Sequence, residues 1–184
     1  MSRIRPCVLA LVATVGLCTG AAAQRPTLPA GLDSVRAALD KYQDVFVAVR
    51  DGYLSTIGCV DFATPGKAGE TPYAAGAMGV HLLNGAAIGA PLDLKRPQVL
   101  IYEPHGDTLR LVAAEWFVPA QAAPQRPQLF GHPFDGPMEG HQPVMPAELV
   151  HYDLHVWLWR TNPTGVFSPT NPAVRCPASN PHRM

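Results

Sequence analysis

From His151 to Trp159 the chain alternates His-Tyr-Asp-Leu-His-Val-Trp-Leu-Trp, and a sustained period of two is the pattern of a half-buried β-strand. Tyr152, Leu154, Val156 and Leu158 then share one face, and His151, Asp153, His155, Trp157 and Trp159 share the other. The first set is core material. The second puts two imidazoles and a carboxylate beside two indoles, and enclosing such groups is costly unless each finds a hydrogen-bond partner or a metal ion. A chain carrying this segment must build an apolar layer on one side of a sheet and a polar pocket on the other.

Three further strands are predicted. Met78 to Asn84 is apolar except for His81, and Val99–Glu103 and Leu109–Val118 flank Pro104-His105-Gly106-Asp107, a strong hairpin turn. Together with 150–160, these place strands near 78–84, 98–103 and 109–118. Leu32, Val35, Leu39, Tyr42, Val45, Phe46 and Val49 recur at three- and four-residue steps, which predicts one amphipathic helix over 33–50, with Asp33 as its N-cap and Gly52 closing it. The expected fold is α+β: an antiparallel β-sheet with an N-terminal amphipathic helix packed on one face. Residues 60–77 carry enough glycine and proline to read as loop. The proline-rich loop about 119–146 also lacks an obvious regular element, but Leu129, Phe130, Phe134 and Met138 give it apolar anchors.

Arg3 and Arg5, the apolar run Val8–Leu17 and the small residues Ala21-Ala22-Ala23 describe a signal peptide over 1–23, so the protein is expected to be exported, to the periplasm or the extracellular space. Residues 24–184 are enough for a single globular domain. Without its leader the domain is close to charge-balanced and has no basic cluster, which argues against nucleic-acid partners and against a membrane partner after signal removal. Of the four cysteines, Cys59 and Cys176 remain, and in an oxidising compartment the expectation is a disulfide between them.

Glu115 lies within Val112-Ala113-Ala114-Glu115-Trp116-Phe117-Val118, where an unpaired buried carboxylate is costly. On simple alternation it shares a face with Leu111, Ala113 and Phe117. His81 poses the same question in its own strand. If these strands adjoin, His81, Glu115, His151 and His155 converge as ligands for a divalent transition metal, with zinc, copper, iron and manganese all compatible with a histidine and carboxylate set. Asp153 then orients an imidazole. A second cluster, Gly131 to His141 with Met145 beyond, reads most simply as a structured loop with exposed histidines. The expected function is an exported metal-binding protein acting on a metal ion or small molecule, with open coordination positions that permit catalysis without naming a reaction. The alternative is a non-catalytic small-ligand-binding or structural module with a buried polar network and no metal. No phosphate loop, nucleophile elbow or free catalytic cysteine is present.

The run His151–Trp159, followed by Asn162-Pro163-Thr164-Gly165-Val166-Phe167 and Asn171-Pro172-Ala173-Val174-Arg175-Cys176, resembles a widespread group of uncharacterised exported bacterial proteins. The likeness extends to Ala77–His81 and Leu129-Phe130-Gly131. It implies export and one domain, and supplies no substrate.

Overall fold

The N-terminal apolar periodicity folds as helix, but in two pieces rather than one. The structure, a computed structural model that describes residues 27–141 and 145–178, has α1 at Leu32–Leu39, a 3-10 turn at Asp40–Gln43 and α2 at Val45–Arg50. The expected signal peptide lies outside the described residues. The continuous helix over 33–50 is corrected for a local reason: Asp44 is extended (φ −88°, ψ 107°), and its side chain accepts from the Phe46 amide at 2.9 Å, starting a new helix. The Tyr42 carbonyl meanwhile accepts from the buried Tyr102 hydroxyl at 2.8 Å. The phase break turns Phe46 (79% exposed) and Val49 (45%) away from the core. Gly31, not Asp33, is the N-cap of α1; Asp33 lies in the first turn and pairs with Arg36. Gly52, at φ 92°, follows α2 in the left-handed conformation expected of a closing glycine.

The strands are β1 Leu54–Phe62, β2 Gly66–Ala68, β3 Thr71–Tyr73, β4 Gly76–Leu83, β5 Val99–His105, β6 Thr108–Pro119, β7 Gln128–Leu129, β8 His132–Pro133, β9 Asp135–Met138 and β10 His151–Val156. Six form one antiparallel sheet in the order β1-β4-β5-β6-β10-β9, while β2-β3 and β7-β8 are small hairpins. The fold is thus mostly antiparallel sheet, curved into a half-barrel, with short helix at its N-terminal end. The region 60–77 is correspondingly less loop-like than its composition predicts, since it holds the end of β1, all of β2 and β3 and the start of β4. Within the proline-rich segment, β9 pairs with β10 and forms the far edge of the main sheet.

One face of the sheet carries the larger core. Leu32, Val35, Leu39, Tyr42 and Ala48 pack with Leu82, Leu100, Tyr102, Leu111, Ala114, Trp116, Leu154, Val156 and Leu158. Each fully buried Leu or Val here contributes about 1.5–3 kcal/mol relative to exposure. Leu111 belongs to this face, contrary to simple alternation. Between Ile101 and Tyr102 the β5/β6 register shifts, leaving Val112 unpaired opposite β5, so Val112 and Ala113 both fall in the opposite cluster while Ala114 and Trp116 return to the helix side. Glu115 and Phe117 keep the concave face.

The edges of the half-barrel approach each other over that concave face. Tyr73 on β3 stacks edge-on with Phe62 of β1 and directs its hydroxyl to Met138 Sδ of β9 at 3.1 Å, and the Gly136 amide donates to Thr71 Oγ1 at 3.0 Å. Val60, Phe62, Tyr73, Met78 and Met138 form the cluster at this seam. The C-terminal segment covers the remainder. Asn171 exchanges backbone hydrogen bonds with Ala77, and its side-chain amide bonds the Thr161 carbonyl; the Asn162 amide reaches the Thr170 carbonyl; Val174 packs with Val99, Ile101 and Trp157. The two Asn-Pro motifs are therefore stapling devices. Cys59 of β1 is bonded to Cys176 with Cα atoms 5.6 Å apart, closing a separation of 117 residues. A loop of that size contributes about 5 kcal/mol in the chain-entropy account. No described helix is long and apolar enough to cross a membrane.

Candidate metal centre

β6 and β10 pair with Glu115 directly opposite His155, so the two side chains start as cross-strand neighbours on the concave face. β5 separates β6 from β4, yet sheet curvature brings His81 to the same point. Its Nε2 stands 3.5 Å from Glu115 Oε2, and His155 Nε2 stands 3.5 Å from the same oxygen. One ligand atom from each of the three lies within 4.8 Å of the others. These spacings are too long for good hydrogen bonds. They match the about 3.4 Å that separates ligand atoms held tetrahedrally at zinc-type distances around one ion.

The satisfaction of the polar atoms points the same way. His81 Nδ1 lies 3.2 Å from the Gly79 carbonyl, which can only accept, so Nδ1 carries the proton and Nε2 offers a lone pair toward Glu115. Gly79 is what makes this possible: at φ 99° it sits in the register shift between β1 and β4, and a Cβ there would stand 2.6 Å from the Tyr102 carbonyl oxygen. Glu115 Oε2 and both ring nitrogens of His155 are buried without a hydrogen-bond partner among the described residues.

Burial pushes the His81 imidazole down to about 4, helped by nearby His141, and holds His155 well below the usual histidine value. Burial also raises the Glu115 carboxyl well above its usual range, and the neighbouring Asp153 raises it further. The ion-pair partners that Glu115 and Asp153 have among the described residues are histidines, not lysine or arginine. Neutral imidazoles with free lone pairs beside a carboxylate that lacks a counter-charge are the donor set a divalent cation completes.

His151 does not join that trio. It is four residues from His155 on one strand, about 13 Å along it. Its Nε2 faces Asp153 Oδ2 at 3.8 Å, its Nδ1 meets the Leu149 carbonyl at 3.0 Å, and it stacks on Phe117. With it stands His141, from the segment after β9. This residue is half-buried, not the exposed loop histidine that the sequence predicts, and the structure groups His141, His151 and Asp153 within ligand distance of one another. Burial lowers His141, brings His151 down to about 4, and raises Asp153, the last also through Asp135.

The remaining histidine of the 131–141 cluster stays apart, since His132 stacks on Phe167 at 4.5 Å. Trp157 lines the concave side and donates to the Ser168 carbonyl, whereas Trp159, past the end of β10, packs with the helix-side core and donates to Asp40 at 2.6 Å. The period-two facing thus holds through Trp157 and fails at Trp159. The spacing that reveals His141 is not a local one, because only the pairing of β9 with β10 carries it beside His151.

Comparison with protein-family models, with curated proteins and with solved structures finds no match to this chain.

Proposed function

We propose that this is an exported metal-binding protein in which His81, Glu115 and His155 hold one divalent transition ion. The observation that carries the reading is the pair of 3.5 Å spacings from Glu115 Oε2 to two histidine Nε2 atoms, combined with the absence of any hydrogen bond to that buried oxygen or to either His155 nitrogen. A buried polar network that stabilised itself would make those bonds. Zinc, iron, manganese and copper all suit two imidazoles and a carboxylate. Three protein ligands leave positions for water or a substrate group, so the centre is built for Lewis-acid activation of water or for redox chemistry, according to the metal. Export is supported by the leader-like N-terminus, by the Cys59–Cys176 pair and by the resemblance to exported bacterial proteins.

Elemental analysis of the protein purified from its native compartment tests the reading. Near-stoichiometric transition metal is expected in the wild type, and one ion per chain is lost in His81→Ala and in His155→Ala. A well-folded wild type that carries no metal, and binds none when zinc is supplied, favours the non-catalytic module instead.

A further inference from the structure

His81, Glu115 and His155 on one side and His141, His151 and Asp153 on the other are too widely spread for one ion. Same-face neighbours on a strand lie about 6.6–7 Å apart. Asp153 therefore sits midway between His151 and His155, with one carboxylate oxygen turned to each: Oδ2 is 3.8 Å from His151 Nε2, and Oδ1 is 3.9 Å from His155 Nδ1. We propose that a second divalent ion is held by His141, His151 and Asp153, and that Asp153 links it to the first centre through His155. This rests on the reading of His81, Glu115 and His155 as the first centre.

Three observations support it. First, the two trios are built alike. Each has two imidazoles and one carboxylate within ligand distance, and each has one imidazole whose Nδ1 donates to a backbone carbonyl, Gly79 for His81 and Leu149 for His151. That bond fixes the tautomer and leaves Nε2 as the ligand atom, the arrangement expected around a bound metal. Second, His155 has both nitrogens buried and unpartnered, and so does Asp153 Oδ1. With Nε2 given to the first ion, the Nδ1 proton is directed at Asp153 Oδ1, and Oδ2 remains for the second ion. A carboxylate that accepts from one ligand imidazole and ligates a neighbouring ion satisfies every orphan atom of the pair.

The third observation is charge. Glu115 and Asp153 are both buried, and their ion-pair partners among the described residues are imidazoles rather than ammonium or guanidinium groups. With imidazoles as its ion-pair partners among the described residues, Asp153 is placed to take counter-charge from an ion that it shares with His141 and His151. The fit is to borderline divalent metals that accept imidazole and carboxylate together, not to calcium or magnesium, which prefer all-oxygen sets.

The test uses the mature full-length protein, stripped with a chelator, refilled with zinc alone, freed of loose metal by gel filtration and analysed for zinc per chain. Two zinc ions per wild-type chain are expected, falling to one in His141→Gln and in His151→Gln, and to one, of the other kind, in His81→Gln. Cobalt(II) in place of zinc gives a separate absorption signature for each remaining centre, with circular dichroism certifying the fold. Asp153→Asn is expected to lose the second ion and to weaken the first about ten- to a hundredfold. One zinc per wild-type chain, lost in His81→Gln and unaffected by His151→Gln, overturns the second centre and leaves the first standing. Loss of both ions from a folded His141→Gln protein overturns it as a separate site, and a wild type that takes up no zinc overturns both readings together.

Discussion

The Gly79 carbonyl holds His81 by its Nδ1 at 3.2 Å and thereby turns Nε2 toward Glu115. A backbone irregularity two residues away thus sets the orientation of a ligand. The relationship depends on glycine, because φ is 99° and the Tyr102 carbonyl occupies the space a Cβ needs. Gly79→Ala is expected to destabilise the protein by about 1–3 kcal/mol and to weaken zinc binding more than thermal stability alone explains. Thermal melts of the metal-free protein together with zinc titration check it; an unchanged zinc affinity would separate the bulge from the site.

The pH dependence of the metal-free protein should change with Glu115. Its carboxyl is raised by burial above the ordinary 4.5, so the stability it contributes is fully present below that pH and is lost as pH rises through the folded-state value. Glu115→Gln removes this loss, so the metal-free variant should exceed the metal-free wild type by about 1–3 kcal/mol at pH 8 and by little at pH 4. The imidazoles act in the opposite sense. His81 and His151, lowered to about 4 by burial, contribute stability that is lost as pH falls from 6.5 toward 4. Urea denaturation across pH 4–8 reads both; a Glu115→Gln difference that does not vary with pH would contradict the assigned sign.

Sequence alternation identifies the strand that carries His151, Asp153 and His155, because one of its faces is uniformly apolar and the other uniformly polar or aromatic. It also places Glu115 and His81 on strands that turn out to share a sheet with it. What it does not supply is distance. Facing alone grouped His151 with His155, whereas rise per residue separates them, and His141 was hidden in a segment whose direction is set by tertiary pairing of β9. Leu54–Phe62 escaped notice as a strand because Ser55, Gly58 and Asp61 interrupt any apolar alternation; its place comes from pairing with β4 and from Cys59. The helix break at Asp44 was legible in principle, as a capping residue inside an apolar period, but periodicity outweighed it.

That break yields a contrast between two apolar side chains of one predicted helix. Leu39 is fully buried in the helix-side core and Phe46 is mostly exposed. Leu39→Ala should cost about 2–5 kcal/mol, and Phe46→Ala should stay within about 0.5 kcal/mol of the wild type. Equal losses in chemical denaturation would restore the single continuous helix.

The covalent link between Cys59 and Cys176 predicts no free thiol in unfolded, unreduced protein that lacks residues 1–23. Replacing both cysteines by alanine should lower stability by about 5 kcal/mol. Two titrating thiols in the protein from its native compartment would contradict the bond, and a smaller loss would mean that the tail is held chiefly by the Asn162 and Asn171 contacts.

The order in which the ligands are strung along the chain has a consequence for when the pocket comes into being. His81 is donated by β4, Glu115 by β6 and His155 by β10, and the lining beyond them is completed by Val174 and the Ala77–Asn171 pairing. No short stretch of the chain contains these three residues together, and the contacts that bring them to one point span long sequence separations, which fold slowly. A chain that lacks β10 lacks His155 and so cannot complete this trio. On the proposed reading, the metal is therefore selected only after the last strand has arrived, by what is available where folding finishes.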